Sequence, residues 1–133
     1  MYIVQKKIRR SIPVRVKQGK NTGKKAGHII YEDGNDAYYY VEKHYRKGQM
    51  WHKPQYMGYV NVSVDIIEKL IKRDIKKAVF MFIGYEKDSF YIIIPLKEFQ
   101  QGRVTEYDDK QFQVNWKDKP RIYGNQIQLE GIR

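Results

Sequence analysis

The stretch from residue 63 to residue 94 constrains the fold of this chain more than any other. Residues 64–73 predict an amphipathic helix, because their apolar side chains recur at the three- and four-residue spacing of one helical stripe. Ser63 stands at the N-cap position, where a hydroxyl can accept from the unpaired N–H groups of the first turn. Two apolar runs follow, at 78–83 and 89–94, and their aromatic and β-branched residues indicate strands covered on both faces. The expected core is therefore a helix packed on a sheet.

Weaker patterns add further elements to this core. They predict strands at 28–32, 37–45, 55–62 and 111–116, a loop at 18–27 and a short helical turn at 96–101. The segment Asp33–Asp36 reads as a hairpin turn, because its Gly and Asn tolerate positive φ. Residues 12–17 predict an edge strand, since Pro13 cannot donate to a central ladder.

These elements predict a single α+β domain over residues 1–133, with a strongly basic segment at 1–25 and the core at 28–94. One mixed, mostly antiparallel sheet is expected, with the main helix at 64–73 packed on it. Two alternatives remain open. One is an OB-like barrel, because three strands, a helix and two strands follow that barrel's order. The other is a restriction-endonuclease-like core.

Positive charge is concentrated at the start of the chain. The formal net charge is +11, and residues 1–25 contain nine of the basic side chains and no Asp or Glu. The nine are Lys6, Lys7, Arg9, Arg10, Arg15, Lys17, Lys20, Lys24 and Lys25. A concentrated positive field attracts polyanions and raises their association rates, so these residues are expected to contact phosphates.

The stretch 38–59 interleaves aromatic rings with cations. Exposed rings stack on unpaired bases at about 1–3 kcal/mol per base while cations follow the phosphates. The contacts expected here are Lys43, Tyr45, Arg46, Lys47, Trp51, Lys53 and Tyr56. With Tyr38, Tyr39, Tyr40 and Tyr59 the stretch has seven rings, which are not all expected to be buried beside so many charges. Trp51→Ala is expected to weaken binding of single strands more than binding of duplexes.

Acidic residues near the predicted hairpin suggest a second function. Asp33 and Asp36 lie at the turn, while Glu42 and His44 share one face of the returning strand. With the helix and strand that follow, the order of elements over residues 28–84 resembles the core of restriction-endonuclease-like nucleases. The resemblance implies a metal-dependent nuclease in which Asp33, Asp36 and Glu42 hold Mg²⁺ or Mn²⁺. His44 is the further catalytic candidate of this alternative. The chain departs from the family's pattern at this residue, because the family has a lysine there.

Other features bear on the cellular compartment and on the class of partner. The chain has no cysteine, which excludes disulfides and thiolate metal sites and makes the cytoplasm the default compartment. It has no apolar run long enough to cross a bilayer, so a membrane is not expected as a partner. The cations between Lys69 and Lys77 are explained by the helix dipole, with an auxiliary phosphate-contacting patch as the alternative.

The sequence therefore predicts a non-catalytic nucleic-acid-binding protein, for DNA or RNA, with little sequence specificity and no cofactor. The segment 1–25 is expected to contact phosphates and the stretch 38–59 to stack on bases, which requires both to lie on one face. The metal-dependent nuclease is the first alternative. A protein-interaction module is the second, with the basic arm binding an acidic partner or a second copy of the chain in a homodimer.

Overall fold

The computed structural model describes residues 10–16, 23, 25–31, 37–44, 58–106 and 109–124. These ranges contain nine strands and two helices. In chain order they are β1 (Arg10–Arg15), β2 (Lys25–Tyr31), β3 (Ala37–His44), β4 (Tyr59–Ser63), α1 (Val64–Lys72), β5 (Lys77–Ile83), β6 (Phe90–Pro95), α2 (Leu96–Gln100), β7 (Arg103–Glu106), β8 (Lys110–Asn115) and β9 (Ile122–Tyr123). The fold is α+β, as the sequence predicts.

Six of the strands form one sheet in the order β1-β2-β3-β5-β6-β9. Every neighbouring pair is antiparallel except β3 and β5, which run parallel. The mixed, mostly antiparallel sheet expected from the sequence is therefore confirmed. β1 stands at one end of this order, which suits Pro13 because proline has no N–H for a second neighbour.

The remaining strands form a second sheet that the sequence does not predict. Its order is β4-β8-β7, and both of its pairs are antiparallel. The strand that enters the helix therefore belongs to a different sheet from β5, which follows the helix, and the expectation of a single sheet is wrong. The described strands do not close into a barrel, so the OB-like alternative is wrong as well.

Helix α1 lies where the sequence places it and buries Ile66, Ile67 and Leu70. Ser63 occupies the N-cap position, but its hydroxyl makes no capping hydrogen bond, so the expected cap is wrong. At the other end the chain turns at Asp74, whose φ is 62°. The N–H of Asp74 donates to Ile71 O at 2.9 Å and the N–H of Ile75 to Leu70 O at 3.0 Å, which is a Schellman ending.

Both faces of the large sheet are buried around its centre, as the apolar runs predict. On one face Tyr39 and Phe80 join a core that includes α1, α2 and the second sheet. On the other face Tyr38, Met81 and Tyr91 form a separate buried cluster. β3 therefore presents alternate side chains to two different environments, and this alternation determines which of its polar groups meet.

Strand β2 begins inside the segment that the sequence predicts as a loop. Gly27 is part of the strand rather than a turn residue. A Cβ at this position would lie 2.7 Å from the carbonyl oxygen of Tyr40 and 2.8 Å from Cε1 of Tyr39. The glycine is therefore required by the close approach of β3, and the loop prediction is wrong for residues 25–27.

Candidate functional site

A basic groove of about 450 Å³ lies between the end of β1 and helix α1. Its four cations come from two separate parts of the chain, with Arg15 on β1 and the other three on the last turn of α1 and its C-cap. The charged residues that line it are Arg15, Asp65, Glu68, Lys69, Lys72 and Arg73. Four cations against two carboxylates leave the groove with a formal charge of +2. We call this the basic groove.

Local structure explains how Arg15 reaches the helix. The pairing register of β1 with β2 shifts between Val14 and Arg15, so the strand is irregular at its end. Val14 remains buried in the core, whereas Arg15 is exposed. The Nη1 of Arg15 donates to the carbonyl oxygen of Gly23 at 3.0 Å. The guanidinium therefore has one anchoring contact and retains further donors for a ligand.

A second pocket, of about 370 Å³, lies on the surface of β2 and β3. The side chains of Lys25, His28, Tyr40, Glu42 and His44 line it. The Tyr40 hydroxyl donates to Glu42 Oε2 at 2.9 Å, and His44 Nε2 lies 3.0 Å from Glu42 Oε1. We call this group the Glu42 pocket.

Hydrogen bonds from His44 and Tyr40 lower the pKa of Glu42, with smaller contributions from the charges of His44 and His28. Burial opposes the shift, but the Glu42 side chain is 47% exposed and the two hydrogen bonds outweigh the cost of burial. A carboxylate that stays ionised and orients an imidazole is the arrangement used in general acid–base catalysis. The geometry is therefore compatible with proton transfer at an exposed ligand.

The basic groove and the Glu42 pocket meet at the edge of the large sheet. Arg15 and Lys25 are partners in the pairing of β1 with β2. Arg15 lines the groove, while Lys25 lines the pocket. Positive side chains therefore extend from the last turn of α1 through Arg15 on β1 to Lys25 on β2.

The predicted contact residues fall into three groups. Arg15 and Lys25 line the two sites just described. Lys43 lies on the opposite face of β3 from Glu42, where it lines a cavity between the two sheets. The other predicted residues lie outside the described ranges, or have only their backbone described in the case of Arg10; they are Lys6, Lys7, Arg9, Arg10, Lys17, Lys20, Lys24, Tyr45, Arg46, Lys47, Trp51, Lys53 and Tyr56.

The described tyrosines of the stretch 38–59 differ in exposure. Tyr38 and Tyr39 are buried, which removes both from the set of rings that could stack on bases. Tyr59 is 48% exposed, so the expectation that the seven rings are not all buried is confirmed. The basic segment 1–25 and the rings of the stretch 38–59 are expected to lie on one face. Most of these residues lie outside the described ranges, so this expectation stays a prediction.

Among the described residues, the His, Asp and Glu side chains form no cluster of three that could hold a metal ion. Asp33 and Asp36, the expected metal ligands beside Glu42, lie outside these ranges. Within the described helices, neither is long and apolar enough to span a bilayer.

Sequence reasoning gives no specific role to His28. For Lys69, Lys72 and Arg73 it favours the helix dipole, with an auxiliary phosphate-contacting patch as the alternative. The signal for the helix cations was present, because three basic residues follow one another within five positions. The proximity of these helix cations to Arg15 depends on where β1 ends relative to α1, and no local sequence pattern predicts that position. Comparisons of the chain with protein-family models, curated proteins and solved structures find no match.

Proposed function

We propose that this protein binds nucleic acid without catalysis and with little sequence specificity, using the basic groove for phosphates. The single observation that supports this function is the meeting of Arg15 with Lys69, Lys72 and Arg73 along one groove. Two elements far apart in sequence converge there on the same sign of charge. A spacing of cations along a groove suits a repeating polyanion better than a small isolated anion.

The groove contacts the backbone of the ligand rather than its bases. Lysine is a point charge with rotatable donors, and arginine can hold a phosphate through two parallel hydrogen bonds. Contacts of this kind fix the position of a strand and carry no sequence information. Low specificity, for DNA or RNA alike, is the consequence.

The salt dependence of binding tests this proposal. Binding of fluorescently labelled single-stranded and duplex oligonucleotides is measured by anisotropy across a range of salt concentrations. If about four phosphates are neutralised, the affinity falls with a log–log slope of roughly −3 to −4. An affinity that does not change with salt concentration would contradict the proposal. No binding to any nucleic acid would favour the protein-interaction module.

A second candidate is the metal-dependent nuclease. It is favoured by the pairing of Glu42 with His44 on a strand that runs parallel to β5, with α1 in the connection between them. Glu42 would act with Asp33 and Asp36 on a divalent cation. Labelled DNA and RNA are incubated with Mg²⁺ or Mn²⁺ and with a chelator. Metal-dependent cleavage that is lost in Glu42→Ala would replace the non-catalytic proposal.

A further inference from the structure

A cavity of about 100 Å³ lies between the two sheets at the first turn of α1. Its polar lining comes from β3, β4 and the start of β8, and its apolar wall includes Phe80 and Ile66. The polar side chains used below are Lys43, Asn61, Ser63, Asp109 and Gln111. At a share of about 30 Å³ per water molecule, the cavity has room for a ligand of a few heavy atoms. We call this the intersheet cavity.

Three polar groups that line the cavity have no partner within the described part of the chain. Lys43 makes no ion pair or hydrogen bond there, and burial lowers its pKa. Ser63 is only 9% exposed, and its hydroxyl does not cap the helix that it precedes. The Oδ1 of Asn61 is fully buried and accepts no hydrogen bond. Buried polar groups are normally paired, so the buried, unpaired Oδ1 of Asn61 beside two further groups without a partner indicates a ligand.

The other polar groups in the lining already have partners. The Tyr39 hydroxyl donates to the carbonyl oxygen of Ala26 at 3.1 Å. Gln111 Nε2 donates to Asp109 Oδ1 at 3.2 Å. Asp109 is the acidic side chain facing the cavity within the described ranges, and it makes no ion pair with Lys43. The hydrogen bonds that are missing are therefore an acceptor for Lys43 and Ser63 and a donor to Asn61 Oδ1.

We propose that the intersheet cavity binds a phosphate group that retains one proton. Unprotonated phosphate oxygens accept from Lys43 and Ser63, and the P–OH donates to Asn61 Oδ1. The first-turn N–H groups of α1 add a favourable field for an anion, because the N-terminal end of a helix carries partial positive charge. The chemistry is that of hydrogenphosphate, either free or at the end of a nucleic acid.

The assignment of the bound phosphate to the end of a nucleic acid rests on the proposed function. Ile66 lines both the basic groove and the intersheet cavity, and the neighbours Arg15 and Val16 line one each. A strand held in the groove can therefore deliver a terminal phosphate to the cavity. Internal phosphodiesters carry no ionisable P–OH and lack the donor that Asn61 requires.

Thermal unfolding of the full chain tests the anion site. Midpoints are measured near neutral pH at constant ionic strength with chloride, sulfate or inorganic phosphate. Phosphate is expected to raise the midpoint by a few degrees, because a ligand that binds only the folded state stabilises it. Sulfate carries no proton at this pH and is expected to raise it less. Equal midpoints in the three salts would overturn the proposal.

Variants locate the effect. Lys43→Met is expected to raise the midpoint without phosphate, because it removes a partly buried charge that has no partner among the described residues, and to abolish the response to phosphate. Ser63→Ala is expected to reduce the response with little effect on folding, since the hydroxyl caps nothing. Lys97→Met, an exposed lysine on α2, is the matched control and should keep the full response. A full response in both cavity variants would contradict the proposal.

Oligonucleotides of one sequence with a 5′-phosphate, a 3′-phosphate or two hydroxyl ends distinguish the sources. A nucleic-acid source predicts that one phosphorylated end binds about tenfold more tightly, and that Lys43→Met removes the difference. Equal binding of all three oligonucleotides, with phosphate still stabilising the protein, assigns the cavity to free phosphate and leaves the proposed function intact. If phosphate stabilises the protein and no oligonucleotide binds, the proposed function fails and the anion site stands.

Discussion

Arg15 and Lys25 face each other across the pairing of β1 with β2, so cations from the edge strand and its neighbour lie side by side. Like charges on directly opposite residues of paired strands are destabilising, and a bound anion would relieve their repulsion. The pair joins the basic groove to the Glu42 pocket, and we infer that a bound strand passes over it. The proposed path has a backbone phosphate near Lys25 and leads towards His44.

Lys25→Gln is expected to weaken nucleic-acid binding about two- to fivefold and to reduce the salt slope by about one phosphate. The side chain is exposed, so the free energy of unfolding should change little. Anisotropy titrations measure the change in affinity. Lys87→Gln, an exposed lysine in the turn between β5 and β6, carries the same charge change and serves as the control. Equal losses in both variants would show a general charge effect rather than a site.

Asp74→Gly is expected to stabilise the protein. The residue has a φ of 62°, which glycine adopts without a Cβ penalty. A gain of about 0.5–1 kcal/mol follows for glycine, while Asp74→Ala should cost a similar amount because alanine lacks the polar side chain that eases this conformation. Urea unfolding of the three proteins gives both values. Equal effects of the two substitutions would indicate that the Schellman ending does not hold the end of α1.

Glu42→Gln is expected to lower stability near neutral pH and to have no effect in acid. Hydrogen bonds from His44 and Tyr40 lower the folded-state pKa of Glu42 below its ordinary 4.5. A carboxyl of this kind contributes stability above its unfolded-state pKa and loses the contribution as pH falls through its folded-state pKa. The effect is small, at about 0.5 kcal/mol, because the side chain is half exposed. Unfolding of both proteins from neutral pH to about pH 3 measures it.

Tyr40→Phe removes one of the two hydrogen bonds to Glu42 and should reproduce part of the neutral-pH loss. A difference between wild type and Glu42→Gln that grows as the pH is lowered would contradict the assigned contacts.

Arg121 is expected to stabilise the packing around Phe90 and Trp116. Its guanidinium carbon lies 4.5 Å from the centre of the Phe90 ring and 5.6 Å from that of Trp116. The guanidinium also pairs with Glu86, which accepts a hydrogen bond from the Tyr123 hydroxyl at 3.2 Å. Arg121→Met should lose about 0.5–1 kcal/mol of cation–aromatic attraction. Arg121→Lys should lose less, and thermal unfolding of the two variants measures the difference.

The parts of the fold that follow a local period could be predicted from sequence. The stripe of α1 and the apolar runs of β5 and β6 specify a helix and buried strands whatever surrounds them. Pairing partners could not be predicted in this way, because Val60 and Val62 alternate equally well for either sheet. β7 was missed since three of its four residues are exposed and leave no apolar pattern.

The candidate site shows the same division. Arg15 and Lys25 were predicted because charge concentration is visible in the sequence. For Lys69 and its neighbours on α1 the helix dipole is a sufficient local reason, so the phosphate-contacting patch is only the alternative at the level of sequence. The intersheet cavity depends on the second sheet, so its combination of Lys43 with Asn61 and Ser63 could not be foreseen from the spacing of these residues.

The most direct measurement of the central claim compares two triple variants of equal charge in binding to a labelled oligonucleotide. Lys69→Gln/Lys72→Gln/Arg73→Gln removes three of the four cations of the basic groove, and Lys87→Gln/Lys97→Gln/Arg103→Gln removes three exposed cations elsewhere. Circular dichroism and thermal unfolding confirm that both remain folded. The groove variant is expected to lose most of its affinity and to reduce the log–log salt slope by about 2–3, while the control variant stays close to wild type. Equal affinities and slopes for the two variants would contradict the basic groove as the binding site.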